Sequence, residues 1–238
     1  MLRGVATLVC LPALVAGAAA AQATAAARVA PRQLVAALPT AHDARDRPTA
    51  DGRLVARVGS RRPITRVRTA LPVIGQTSDR RGRGWLRVRL PGRTLALTPP
   101  RSGWIRAAHV RLSTTAWHIV VDVGARRVTV YGGGRRLRTF SAIVGKRSTP
   151  TPRGAYFVEE NVRLPGDAAG APFALATSAR SNVLQEFAGG PGQIALHGLD
   201  NVGGQLGTAV SHGCIRLATS AVTWLATRMT PGVPITIA

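Results

Sequence analysis

The sequence predicts a mainly β protein made of two small β units, the second with one short helix near its C-terminus. Three observations predict it. Residues 53–112 run as short alternating stretches, such as Leu54-Val55-Ala56-Arg57-Val58 and Trp85-Leu86-Arg87-Val88-Arg89-Leu90. Glycine and proline punctuate those stretches at turn-like intervals. From Trp117 onward the apolar residues again come in strand-length runs, and the one helix-like pattern follows Thr219.

Composition bounds the rest. At 238 residues and 45% apolar content the chain can bury a core in one domain or two. The net charge is +22, and Lys146 is the sole lysine, so the basic character is almost entirely arginine. Alanine, arginine and glycine dominate throughout, which reflects coding bias and weakens arguments from individual arginines. A charge of this size still draws a chain to polyanions. No recognition helix, zinc-finger spacing or aromatic-interleaved RNA motif accompanies it, so no specific nucleic acid is expected. An anionic cell wall or membrane surface is the expected partner.

Residues 1–23 have the form of a secretory signal peptide. Arg3 gives the positive start, Val5 to Val15 the apolar region, and Ala21-Gln22-Ala23 or Ala19-Ala20-Ala21 the cleavage site. The alternative is an uncleaved anchor. The expected location is therefore outside the cytoplasm, in the periplasm or cell wall. Cys10 falls in the apolar region, but Thr7-Leu8-Val9 lacks the small residue that lipidation requires. Cleavage would leave Cys214 as the one cysteine, unable to form an internal disulfide and a candidate reactive thiol.

Residues 24–52, rich in Ala, Pro and Arg, read as a linker with a helical turn at 33–38. Residues 53–113 read as antiparallel strands. The Gly84-Trp85 and Gly103-Trp104 steps and the closing Gly-Trp-Ile-x-x-x-x-Val resemble bacterial SH3-like domains. That resemblance implies a small barrel that binds wall peptides or spaces a second domain. Trp85 and Trp104 are expected in its core, and His109 in a structural role. Residues 114–116 read as a hinge.

The second unit spans 117–238. Trp117 to Val123 and Arg126 to Tyr131 form strands, and Gly132-Gly133-Gly134 supplies the hairpin turn to a third strand at 137–144. His118, on a strand, is not expected to take part in chemistry. Thr149-Pro150-Thr151-Pro152 forbids regular helix and fixes the backbone. Strands follow at 154–158 and 173–176, with irregular sequence at 161–171 and 179–193. Ile194-Ala195-Leu196 is a short buried strand that delivers His197. After Cys214-Ile215-Arg216-Leu217, Thr219 or Ser220 caps a helix at 221–228, which Thr230-Pro231-Gly232 stops, and residues 233–237 close as a strand.

The chemistry concentrates between Ile194 and Leu217. A thiol near neutral pH is a weak nucleophile until a base draws off its proton, and an imidazole suits that task. His197 and His212 are the candidate bases for Cys214, and the residues alone do not choose between them. Attack on an amide also needs fixed donors for the oxyanion, which main-chain N–H groups in a tight turn provide. Gly213 and the Cys214 N–H are the candidates. Zinc held by His197, His212 and Cys214 is disfavoured because the surroundings lack carboxylates; no metal or cofactor is expected.

His197 followed by Ser211-His212-Gly213-Cys214-Ile215-Arg216 resembles the signature of the L,D-transpeptidase (YkuD-type) catalytic domain. Gly145-Lys146-Arg147-Ser148-Thr149-Pro150-Thr151-Pro152-Arg153-Gly154 resembles that family's G-K-x-x-x-P-T-P-x-G segment. The resemblance implies a β-sandwich and a Cys214 nucleophile that forms a thioester with a peptidoglycan stem peptide. It selects His197 as general acid/base, with His212 orienting the site. It also implies that Arg216 holds a substrate carboxylate or fixes the loop, and that residues 179–193 cover the site as a lid. Ser211 is expected to hydrogen-bond within the loop and stands with Arg216 as a candidate substrate-binding residue. Some relatives carry a hydroxyl side chain after the histidine. Here Gly198 follows, so a backbone carbonyl would have to orient His197. The implied reaction is peptidoglycan cross-linking. The alternatives are an L,D-carboxypeptidase using the same acyl-enzyme, and a non-catalytic wall-binding protein.

Overall fold

The structure is a computed structural model that describes residues 29–92, 102–184 and 192–238. The expected signal peptide and Cys10 lie outside the described residues, as do residues 185–191 of the expected lid.

The first sheet contains β1 (Gln33–Ala37), β2 (His42–Arg45), β3 (Leu54–Val58), β4 (Ala70–Ser78), β5 (Gly84–Arg89), β6 (Ser102–Arg106) and β7 (Arg111–Thr115). Their order is β3-β2-β6-β5-β4-β1-β7 and every pairing is antiparallel. Ala36, Leu38, Leu71, Val88 and Ile105 fill its core with no exposed surface. Trp85 joins them in the interior, its indole N–H donating to Asp79 at 3.2 Å, whereas Trp104 is only half-buried.

Two sequence expectations fail here. The segment expected as a linker contains β1 and β2, and its expected helical turn is strand β1. Leu34 to Leu38 is too short to reveal a period by itself; β4 on one side and β7 on the other give it its conformation. The expected hinge is likewise absent, because β7 runs to Thr115 and the next strand starts at Trp117.

The second sheet contains β8 (Trp117–Asp122), β9 (Arg127–Gly132), β10 (Arg135–Gly145), β11 (Gly154–Arg163), β12 (Phe173–Arg180), β13 (Gln193–His197), β14 (Ala209–Ser211), β15 (Ile215–Leu217) and β16 (Pro234–Ile237). The order is β14-β10-β15-β13-β12-β11-β16-β8-β9, and β9 pairs again with β10, so the sheet closes on itself. Closure removes the edges a flat sheet would expose. The helix α1 (Thr219–Ala226) covers this sheet's core with Ala221, Val222 and Leu225. Its N-cap is Ala218, without a side-chain cap; Thr219 instead donates its hydroxyl to Asp200 at 2.7 Å.

The two domains share strand β11. Tyr156 and Val158 point into the C-terminal core, and Phe157 between them enters the N-terminal core. This is the two-residue alternation of a strand with a different core on each face. The register shifts between Val158 and Glu160, and both Glu159 and Glu160 are buried there. Their carboxylates meet the N-terminal domain: Glu159 pairs with Arg62 and accepts the Gly92 N–H at 2.8 Å, and Glu160 accepts the Thr65 N–H at 2.6 Å and its hydroxyl at 2.8 Å. Buried carboxylates need such partners, because leaving one unpaired in the interior costs several kcal/mol.

Candidate active site

Strand register brings His197 and Cys214 to one face. β13 and β15 pair in parallel, with Leu196 opposite Ile215 and His197 opposite Arg216. Side chains alternate across a strand. Ile194, Leu196, Ile215 and Leu217 therefore turn into the core and are buried, while Gln193, Ala195, His197, Cys214 and Arg216 share the opposite, half-buried face. The apolar residues between the polar ones fix the register, so a slip would bury the wrong set.

The loop before Cys214 is clamped from within. Ser211 has no exposed surface; it donates its hydroxyl to the Cys214 carbonyl at 2.6 Å and accepts the Gly213 N–H at 3.2 Å. Gly213 has φ +119°, and a Cβ there would press on Ile194. The Thr149-Pro150-Thr151-Pro152 segment grips the same loop. Thr151 accepts the Gly145 N–H at 2.9 Å and donates to the Gly213 carbonyl at 2.8 Å, and Thr149 donates to the Ser211 carbonyl at 3.3 Å. Thr149 and Thr151 thus belong to the site's framework, a role the sequence reading gave only to the segment as a whole. Ser211 ends β14, and its hydroxyl, with no exposed surface, bonds only within the loop, so it is not placed to bind substrate, the other role expected of it. Gly213 departs from expectation as an oxyanion donor: its N–H is directed at Ser211, which leaves the Cys214 N–H as the remaining candidate.

His197 is oriented by a main-chain carbonyl. A carbonyl can only accept, so the 2.8 Å contact from Nδ1 to the Gly198 oxygen places the proton on Nδ1 and leaves Nε2 basic. Gly170, at φ +86°, packs against the ring so closely that any side chain there would collide with it, and Gly198 is hemmed by the Ala171 carbonyl in the same way. The glycine after His197 is therefore sterically required, and the carbonyl fills the place of a third side chain.

The electrostatics describe a neutral pair. Burial lowers the His197 pKa, opposed by its bond to Gly198 and assisted by the Arg216 charge. Burial raises the Cys214 pKa, opposed by the Ala195 N–H and by Arg216. The thiol also lies 3.9 Å from the Gln193 carbonyl, which accepts its hydrogen. Both shifts favour the uncharged forms, a thiol on Cys214 and a neutral imidazole on His197.

Arg216 reaches the Val202 carbonyl at 3.3 Å and the Gly203 carbonyl at 3.4 Å, so it fixes the 202–203 loop; its buried Nε makes no hydrogen bond. His212 is exposed, and the Lys146 ammonium stands 3.5 Å from its Nε2. His212 thus sits on the outer side of the loop, beside a lysine to which the sequence reading gave no role. His118 lies in the domain interface, bonded through Nδ1 to Gln33 and through Nε2 to Thr236, each at 2.9 Å. Among the described residues no cluster of His, Cys, Asp or Glu has the makings of a metal site.

Residues 116–237 match the YkuD L,D-transpeptidase catalytic domain, and the chain belongs to that family. It is 32% identical over 124 residues to YkuD of Bacillus subtilis, a match covering 52% of this chain and 67% of that one. YkuD of Bacillus licheniformis is 30% identical over 124 residues, with the same coverage. Among solved structures, an L,D-transpeptidase from Mycobacterium smegmatis aligns over 71% of this chain and 90% of its own, with a TM-score of 0.41 and 22% identity. The N-terminal sheet, which ends at Thr115, lies outside the family match.

Proposed function

We propose that this protein is an exported L,D-transpeptidase that cross-links peptidoglycan stem peptides through a thioester on Cys214. The observation that carries the reading is the parallel register of β13 and β15, which sets Cys214 and His197 on one half-buried face. As the sulfur attacks the carbonyl carbon of the donor's third residue, Nε2 of His197 takes the thiol proton. The Cys214 N–H faces the developing oxyanion. The C–N bond to the terminal D-alanine then breaks, and His197 returns its proton to the leaving amine. An acceptor amine attacks the thioester, loses a proton to His197, and releases Cys214 as a thiol, leaving a new amide cross-link.

The signal-peptide pattern of residues 1–23 supports export, and the charge of +22 supports residence at an anionic wall. The Gly-Trp steps support an SH3-like reading of the N-terminal domain. The test is product analysis with a disaccharide tetrapeptide as donor and acceptor. Wild type is expected to release D-alanine and form cross-linked dimer, and Cys214→Ala neither. Release of D-alanine without dimer would instead make the protein a carboxypeptidase.

A further inference from the structure

We propose that Glu159 is a positioning residue for the Cys214 thiol: anchored by Arg62 of the N-terminal domain, it holds Gln193, whose main chain contacts the sulfur. The proposal rests on the reading of Cys214 as nucleophile and extends it to the domain outside the family match.

The connection can be followed atom by atom. Oε2 of Glu159 pairs with Arg62, accepts from Nε2 of Gln193 at 3.4 Å and lies 3.5 Å from Nη2 of Arg180; Oε1 accepts the Gly92 N–H. Arg62 and Gly92 belong to the N-terminal domain, and Arg180 and Gln193 to the strands beside the site. Gln193 also donates to the Thr177 carbonyl at 2.9 Å, so its side chain is held at both the Glu159 and the Thr177 end. Its own carbonyl accepts from the Cys214 thiol, and two residues on, the Ala195 N–H approaches the same sulfur. In a strand those groups point the same way. One peptide segment therefore sets a carbonyl that favours the thiol and an N–H that favours the thiolate.

Glu160 supplies a matched comparison. It is the next residue on the same strand and is equally buried, but its carboxylate accepts from Ile64 and Thr65 of the docked loop. It shares the docking role without the link to Gln193. Docking alone would make the two acids equivalent; positioning of the thiol would single out Glu159.

The experiment follows alkylation of Cys214 by iodoacetamide in the full chain, read as labelling of the peptide that contains it, from neutral to alkaline pH. Loosening Gln193 withdraws the carbonyl from the thiol and admits water to the sulfur. Glu159→Gln and Arg62→Ala are therefore expected to speed labelling at pH 7 by roughly threefold or more and to move the profile to lower pH. Both should lower kcat for D-alanine release with KM near wild type. Arg62→Lys should restore the wild-type profile in part, and Glu160→Gln should leave it unchanged even where thermal stability falls. If Glu159→Gln does not fold, Arg62→Ala carries the same readout. Wild-type labelling in both Glu159→Gln and Arg62→Ala, or an equal change in Glu160→Gln, overturns the proposal. Labelling shifts as expected in a protein that never turns over substrate would uphold the coupling and overturn the transpeptidase reading.

Discussion

His197 donates from Nδ1 to the carbonyl oxygen of Gly198, 2.8 Å away, and this bond leaves Nε2 as the ring nitrogen with a free lone pair. In the proposed mechanism Nε2 is then the base, with no third side chain needed to orient the ring. His197→Ala should lower kcat/KM for D-alanine release by about 10²–10⁴-fold, the usual contribution of a positioned acid–base group. In wild type, burial lowers the pKa of His197, so the imidazole stays neutral below the ordinary histidine value. The acid limb of the pH–rate profile should therefore fall below about pH 6.5. A limb at or above that value would mean that His197 is not the titrating base.

Thr151 bridges the Gly145 N–H and the Gly213 carbonyl from a buried position. Thr151→Val keeps the shape and removes both bonds. Urea unfolding should show a loss of about 1–3 kcal/mol, the cost of unsatisfied buried groups. Because Gly213 precedes the proposed nucleophile, kcat should fall more than KM rises.

Phe157 lies in the C-terminal sheet, but its side chain packs in the N-terminal core. Phe157→Ala should destabilise the protein by about 3–5 kcal/mol. Calorimetry of wild type should show one cooperative transition for both domains. Two separate transitions in wild type would contradict two cores coupled through β11.

His118 is held neutral between Gln33 and Thr236, and burial, with Arg89 nearby, lowers its pKa to about 4. Its unfolded value is about 6.5. Between those values the unfolded chain binds the extra proton, so stability is full above the upper value and declines as pH falls toward the lower one. Stability measured across that window should slope upward with pH, and His118→Gln should flatten the slope.

Most of the C-terminal domain was legible in the sequence, because its strands carry enough β-branched and apolar residues to show their period. The run from Trp117 to Tyr131 and the strand ending at His197 appear where the pattern puts them. β1 and β2 were not legible: Leu34-Val35-Ala36-Ala37 and His42-Asp43-Ala44-Arg45 have no period of their own and are strands only because distant partners pair with them. In the site, the motif marked Cys214 and His197, and the Thr-Pro repeat marked a rigid segment. That Thr149 and Thr151 clamp the loop follows from contacts across many intervening residues, which spacing cannot express. Gln193 and Glu159 gave no signal, since a lone glutamine and two adjacent acids on a strand look like surface. Gly170 lay in a stretch read as loop, and only the ring packed against it shows why it has no side chain.

The proposed reaction requires that the Cys214 sulfur become acylated. The direct measurement is intact-protein mass spectrometry after mixing the enzyme with a tetrapeptide donor, followed by peptide mapping. The expected result is a transient mass increase equal to the donor less D-alanine, mapped to Cys214, absent in Cys214→Ala, and slow to form in His197→Ala. Turnover with no adduct at Cys214, or an adduct that persists in Cys214→Ala, would contradict it.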